Sequence, residues 1–441
     1  MNFYIYKVIN GRNLAILLLV IFFLLLYPNL KTFPYSDDWS YLSYLSNNDL
    51  FNIDYLFSQH NDHRIPLQKI LHLMLLKFSG GDFRVLIGLN AFTVFFISLI
   101  WISIYKFFND NCVIETIFPL VAFSYGFNSV NWGFSFQFVS SVFFASLCLL
   151  LWLHYLDSKK KVLVSVFISL IALSLSGGNG LILSTILGCY FCIFIFFRDR
   201  GVYFEKLFLY LKIKFIILLW FVSILFIWFT LKKSSATMQT SSDLLVYFDF
   251  FVHSISAYFG LLLSFYTKSL ICLGIVVVVL SCAIFLLLYI RNSNFLLKNR
   301  IESIFVFLTS NIVLLLGITI SRASFQNWSS GLELHYGFLS IPIIFCFVTL
   351  FSLLRTKKLL YLVLIFSLYS YSFNYSWRMR MQHETNLVLT QCYNLIISKS
   401  EPNISLSKKC IGEFNWKSSP DDILDISKKI DKLRLLPFYK Y

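Results

Sequence analysis

Two adjacent carboxylates, Asp37 and Asp38, stand in the stretch Pro34-Tyr35-Ser36-Asp37-Asp38-Trp39-Ser40-Tyr41. Like charges side by side oppose each other's ionisation, and a low-dielectric border opposes it further, so one of the pair can serve as a general base. The structural alternative is a helix cap, with Trp and Tyr at the depth of lipid headgroups. A second polar stretch follows: Ser58-Gln59-His60-Asn61-Asp62-His63-Arg64-Ile65-Pro66. Arg64 offers a planar fork that suits phosphate, and His60 or His63 can donate hydrogen bonds to the same anion. His60, Asp62 and His63 form a partial metal set. No third ligand has convincing spacing, so a metal is possible but not indicated.

Three further polar groups lie later in the chain. Asn128-Ser129-Val130-Asn131-Trp132-Gly133-Phe134-Ser135-Phe136-Gln137 reads as a polar hairpin. Ser176-Gly177-Gly178-Asn179-Gly180 reads as a turn, or as a place where backbone approaches a ligand. Ser321-Arg322-Ala323-Ser324-Phe325 precedes Glu333-Leu334-His335-Tyr336.

The elements that carry these groups follow from composition. Of 441 residues, 58% are hydrophobic and 13% charged, and Phe alone contributes 50. Mean hydropathy is +0.73. A soluble domain is nearer a quarter charged, so too little polar surface exists to coat a soluble globule. The apolar stretches are continuous rather than alternating, which argues against a β-barrel. The expectation is an all-α polytopic membrane protein. The net charge of +15 does not imply nucleic acid, because Lys and Arg fall mostly between apolar spans.

A helix of about 20 apolar residues crosses a bilayer. On that ruler eleven spans are expected, at 13–30, 84–108, 113–128, 136–156, 161–176, 181–197, 213–231, 269–290, 302–320, 336–355 and 359–375. With the N-terminus in the cytoplasm, 17 of the 37 Lys and Arg face inward and 9 face outward, with the rest in the tail. That bias sets the orientation. The outer loops are then 31–83 and 232–268. Residues 1–375 form the membrane domain and 376–441 a polar tail on the outer side. Asp249 and His253 interrupt the apolar stretch 245–266, which reads as an interfacial or half-inserted helix. Cys189 and Cys192 lie inside an apolar run and suit packing, not metal. Cys392 and Cys410 are the only cysteines of the tail and could pair if it lies outside.

Under this topology all five polar groups share the outer face. They outline a pocket at the lipid boundary with carboxylates and a few cations. The chain carries no P-loop, dinucleotide fingerprint or serine elbow. Nucleotide-activated donors are absent outside a cell membrane, whereas lipid-linked donors are present. Sugar transfer from a polyprenyl phosphate needs a base for the acceptor hydroxyl and cations for the departing phosphate.

An acidic pair directly after the first span resembles the GT-C class of integral-membrane glycosyltransferases. The set Ser36-Asp37-Asp38-Trp39, Gln59-His60-Asn61-Asp62-His63-Arg64-Ile65, Asn131-Trp132-Gly133-Phe134, Gly178-Asn179-Gly180-Leu181 and Ser321-Arg322 is similar to bacterial members of that class. Size, a large first outer loop and a polar tail resemble the serotype-converting O-antigen glucosyltransferases. The resemblance implies a bacterial inner-membrane enzyme, with its C-terminus in the periplasm. It would move a sugar, glucose by analogy, from a polyprenyl-phosphate donor to a lipid-linked or polymeric glycan such as the lipopolysaccharide O-antigen. The transfer would be an inverting displacement needing no cofactor. Asp37 would be the base and Asp38 its partner. His63, Arg64 and Arg322 would hold the donor phosphate. Trp39, Tyr41, His60, Asn61, Asp62, Trp132, Gln137, Asn179 and His335 would contact sugar or acceptor. One departure is His335, where the resemblance leads one to expect Arg before Tyr336. The rival readings are an O-antigen polymerase or ligase, and a lipid-linked glycan flippase or transporter.

Overall fold

The computed structural model describes residues 10–30, 34–41, 45, 52–60, 64–125, 132–157, 162–198, 207–230, 243–323, 334–354 and 358–398. Among them every regular element is helical. The first helix, α1 (Gly11–Ile21), is capped by Asn10, whose side chain accepts from the Asn13 amide, and runs on through a π turn to Tyr27–Asn29. The segment read as a long outer loop contains two helices, α2 (Ile53–Phe57) and α3 (Pro66–Phe78). Proline at the first position of α3 suits a helix start. Gly80 and Gly81, at φ 68° and 90°, end it, and the Gly81 amide closes on the Leu76 carbonyl at 2.7 Å.

The bundle then continues through α4 (Arg84–Tyr105), α5 (Ile117–Tyr125), α6 (Phe136–Leu156), α7 (Leu163–Ser174) and α8 (Gly178–Ile193). It is completed by α9 (Leu207–Thr230), α10 (Leu244–Ser256), α11 (Leu262–Phe265), α12 (Thr267–Arg291), α13 (Phe295–Arg322), α14 (Leu334–Phe351) and α15 (Lys358–Ser398). Among the described residues, six helical runs are long and apolar enough to cross a membrane: Gly11–Asn29, Arg84–Tyr105, Gly133–Leu156, Gly178–Arg198, Thr267–Arg291 and Phe295–Arg322. The chain is thus an α-helical protein with membrane-spanning character. Among the described residues, length and composition support six spans and do not support the expected count of eleven. Ile114–Ser124, Leu163–Ser174, Leu244–Phe259 and Tyr336–Phe351 are apolar but shorter, whereas α9, with 24 residues, contains the apolar stretch Ile213–Ile227.

Two expectations meet particular outcomes. The stretch 245–266 breaks at Gly260, at φ 74°, between a 3-10 turn (Ala257–Phe259) and α11. A Cβ at Gly260 would lie 2.4 Å from the Asn374 amide, so only glycine fits. The position 375/376, where the membrane domain was expected to give way to the tail, falls inside a helix. Helix α15 crosses it without interruption, since no Gly or Pro occurs between 358 and 398. The side chain of Cys392, and Cys410, lie outside the described residues.

Inside the bundle, buried tryptophans join helices through serine. Trp101 donates to Ser146 at 2.8 Å, Trp152 to Ser303 at 3.1 Å and Trp220 to Ser184 at 2.9 Å. Each bond satisfies an indole N–H where water is absent. Trp101 also stacks on Phe345, with ring centroids 5.0 Å apart.

The helices have two chemically different ends. At one, Lys106 pairs with Glu115 at 3.5 Å, Arg198 with Glu302 at 2.6 Å, and Arg300 with Asp157. Arg300 also donates to the Phe107 carbonyl at 3.1 Å. These bonds tie together the termini of α4, α6, α8 and α13. The other end, one length of α4 away or roughly 33 Å, holds the start of α6 and the segments before it.

Candidate functional site

The site is built on a tight turn, Gly133–Ser135, which leads into α6. A Cβ at Gly133 would sit 2.5 Å from the Leu86 Cβ, so glycine lets the turn seat directly on α4. Asn90 of α4 holds it from below, donating to Ser135 Oγ at 3.0 Å and to the Gly133 carbonyl at 3.4 Å.

Asp37 and Asp38 lie in a 3-10 turn, Ser36–Tyr41. Three residues per turn swing consecutive side chains about 120° apart, and the two carboxylates divide accordingly. Asp38 is 1% exposed. Its Oδ2 accepts from the Gly133 amide at 3.2 Å, which places a carboxylate at the positive start of α6. Its Oδ1 is buried without a partner. Burial raises this carboxyl well above the usual carboxylate range, the Gly133 amide opposes the shift, and the Asp37 charge adds to it. Asp37 keeps 35% of its side chain exposed, and its Oδ1 lies 3.7 Å from His60 Nε2. The His60 ring rests against Phe134 with centroids 4.6 Å apart.

One 3-10 turn on from Asp38, Tyr41 shares its buried face. Tyr41, expected to contact sugar or acceptor, has a side chain that is 0% exposed. Its ring meets His72 at 5.2 Å and Phe134 at 6.1 Å, and its hydroxyl accepts from Gln68 at 2.9 Å. Burial, opposed by the Gln68 bond, raises this phenol well above its usual range.

Three polar residues of α3 escape a reading based on loop composition. Gln68, Lys69 and His72 are all buried. The signal was present: 65, 68 and 69, 72 and 73, and 76 repeat at helical spacing, and polar residues occupy part of that buried face. Lys69 Nζ donates to the Tyr55 carbonyl and the Ser58 carbonyl at 2.8 Å each, and to Ser58 Oγ at 2.7 Å. Burial first, and Arg64 second, lower the Lys69 ammonium to about 8. Burial lowers His72 to about 3, so its ring is neutral, and both ring nitrogens lack partners.

Among the described residues, no ion pair links Arg64 or Arg322, the two expected phosphate ligands described here, to either carboxylate. Arg64 directs Nη1 to the Phe57 carbonyl at the end of α2. Arg322 lies half-buried in the last turn of α13. Asn61, Asp62 and His63 lie outside the described residues, as do the side chains of Trp39 and His335.

The remaining groups reach the same end of the molecule. Trp132 is half-buried and stacks on Phe134 with centroids 6.1 Å apart. Phe138, one turn into α6, meets Tyr336 of α14 edge-on at 6.0 Å. Gln137 is 3% exposed with an unpartnered Oε1. A Cβ on Gly177 (φ 133°) would fall 3.6 Å from that oxygen and 3.3 Å from Ile65. The Leu67 amide donates to the Leu175 carbonyl at 3.3 Å, so the 176–180 turn sits on the start of α3. Asn179 is half-buried in the first turn of α8. Asp37, Asp38, His60, Trp132 and Gln137 thus gather around the start of α6.

Chemically, this is a half-exposed carboxylate–imidazole pair backed by a buried carboxyl and a set of unmatched acceptors. Among the described residues, no group of three His, Cys, Asp or Glu is placed to hold a metal. Comparison with protein-family models, with curated proteins and with solved structures gives no match.

Proposed function

We propose that the chain is a membrane glycosyltransferase that moves a sugar from a polyprenyl-phosphate donor to a hydroxyl of a surface glycan. The reading takes the eleven-span, GT-C-like arrangement, with the carboxylate end facing the periplasm and the ion-paired end facing the cytoplasm of a bacterial inner membrane. The observation that carries it is the Asp37–His60 pair at 3.7 Å, half open, at the mouth of a helical bundle with membrane-spanning character. Such a pair can accept the proton of an attacking hydroxyl. Unmatched acceptors nearby, Gln137 Oε1 among them, suit the hydroxyl donors of a sugar. Half-buried Trp132 supplies an aromatic surface for a sugar ring. Arg64 and Arg322, with His63, are the cations assigned to the departing phosphate.

The test compares mass spectra of surface polysaccharide from cells with the intact protein, without it, and with Asp37→Asn. The reading expects a hexose increment only with the intact protein. Identical polysaccharide in all three would refute it.

A further inference from the structure

Resting on that reading, we propose that the atom receiving the acceptor's proton is Nδ1 of His60, and that Asp37 is the carboxylate that orients the ring. His60 Nε2 is buried and faces Asp37 Oδ1 at 3.7 Å with no hydrogen bond to any other group. An imidazole nitrogen facing a carboxylate is the one that carries the proton, which leaves the lone pair on the other nitrogen. Nδ1 is that nitrogen, on a side chain that keeps 19% of its surface exposed. Catalytic hydrogen bonds are often long before substrate closes the site. Phe134, 4.6 Å away and tilted by 43°, fixes the ring plane.

The alternatives within the pair are weaker bases for this step. Asp38 is 1% exposed and already accepts from Gly133. Asp37 directs one oxygen at the imidazole, so a proton placed on it would forfeit that attraction. The cations that follow His60 in the chain are engaged elsewhere: Lys69 binds the Tyr55 and Ser58 carbonyls, and Arg64 binds that of Phe57. Among the described residues, the charged group that pairs with the ring is Asp37.

The step balances as follows. The acceptor oxygen forms a bond to the anomeric carbon. The bond from that carbon to the phosphate oxygen breaks, and its electron pair leaves on the phosphate. The hydroxyl proton moves to His60 Nδ1, and Asp37 neutralises the imidazolium. Asp37 in this scheme is a positioning residue, in the manner of the carboxylate of a catalytic triad.

Two measurements test it on the full chain in lipid nanodiscs. Histidine-selective 15N NMR, assigned with His60→Gln, should show the tautomer with the proton on Nε2, and Asp37→Asn should redistribute it. This readout does not depend on turnover. Transfer from polyprenyl-phosphoglucose to purified O-antigen should fall at least 100-fold in His60→Gln and recover in part when free imidazole is added to His60→Gly. A His60→Gln protein within three-fold of wild type, beside an inactive Asp37→Asn, would make Asp37 the base and overturn the proposal. A His60 tautomer protonated on Nδ1 would overturn it equally. Absence of transfer by the wild type would instead count against the functional reading, while the tautomer still decides the pairing.

Discussion

The two ends of the helical bundle treat polar groups in opposite ways. At one end Arg300 is matched to Asp157, Arg198 to Glu302 and Lys106 to Glu115. At the other, Asp38 Oδ1, Gln68 Oε1, Asn90 Oδ1, Gln137 Oε1 and both nitrogens of His72 are buried and unmatched. A buried polar group without a partner is destabilising by about 1–3 kcal/mol. A chain that collects several at one end gains nothing in stability from them. The ion-paired end is organised for position; under the proposed reading the carboxylate end is organised for chemistry.

Substitutions can break or sharpen that contrast. The largest expected effect is at Asp37. Asp37→Asn should lower sugar transfer by about 100-fold or more, the scale of lost acid–base catalysis, with unchanged membrane insertion and melting temperature. Transfer within a few-fold of wild type would erase the functional half of the contrast.

Asp38 should behave differently, since it caps α6. Asp38→Ala should lower stability by about 1–2 kcal/mol, and Asp38→Asn by less, because an amide oxygen still accepts from Gly133. The folded chain holds the Asp38 carboxyl above its ordinary value of 3.8. The folded state therefore binds more protons than the unfolded one as pH rises from that value toward the raised one, and stability falls across that window. Asp38→Asn should remove this slope in denaturation series in detergent. Equal stability of both variants and wild type would discard the cap.

At the ion-paired end, Arg300→Ala should lower stability by about 1 kcal/mol, between the exposed and buried limits for ion pairs. Transfer per folded molecule should stay within two-fold of wild type. A selective loss of transfer would show that the ends are not separable.

The smallest effect is at Lys69. Its folded value of about 8 lies below the ordinary 10.5. Between those values the unfolded chain holds the extra proton, so stability rises with pH there. Lys69→Met should flatten that rise in melting temperature. An unaltered slope would assign it to another group.

Much of this architecture is written locally. Apolar runs mark the helices, Pro66 and Gly80-Gly81 mark the ends of α3, and five polar groups stand out against their surroundings. What escapes a linear reading depends on distant partners. Asp38 and Gly133 are 95 residues apart, and nothing near either residue announces the bond. Tyr41 looked available because its neighbours are polar, yet the i, i+3 alignment of a 3-10 turn places it with buried Asp38. Lys69 and His72 were legible by helical spacing, but they fell in a stretch whose composition resembles a loop. Short apolar helices such as Leu163–Ser174 and Leu244–Phe259 fall below the length of a span, because a helix that packs inside a bundle need not match the bilayer by itself.

The long final helix carries a consequence for assembly. Asn374 of α15 holds the break beside Gly260, accepting from the Leu262 amide and donating to the Phe259 carbonyl. Arg378 takes the Phe123 and Ser124 carbonyls near the end of α5. Gln382 and Asn386 take those of Leu26 and Asn29 beyond α1. The last-made part of this bundle thus finishes the earliest. During synthesis the ribosome must have released residue 386 before the exit of the first helix has all its backbone acceptors satisfied. A nascent chain halted earlier would leave those carbonyls bare and present itself to membrane quality control as unfinished.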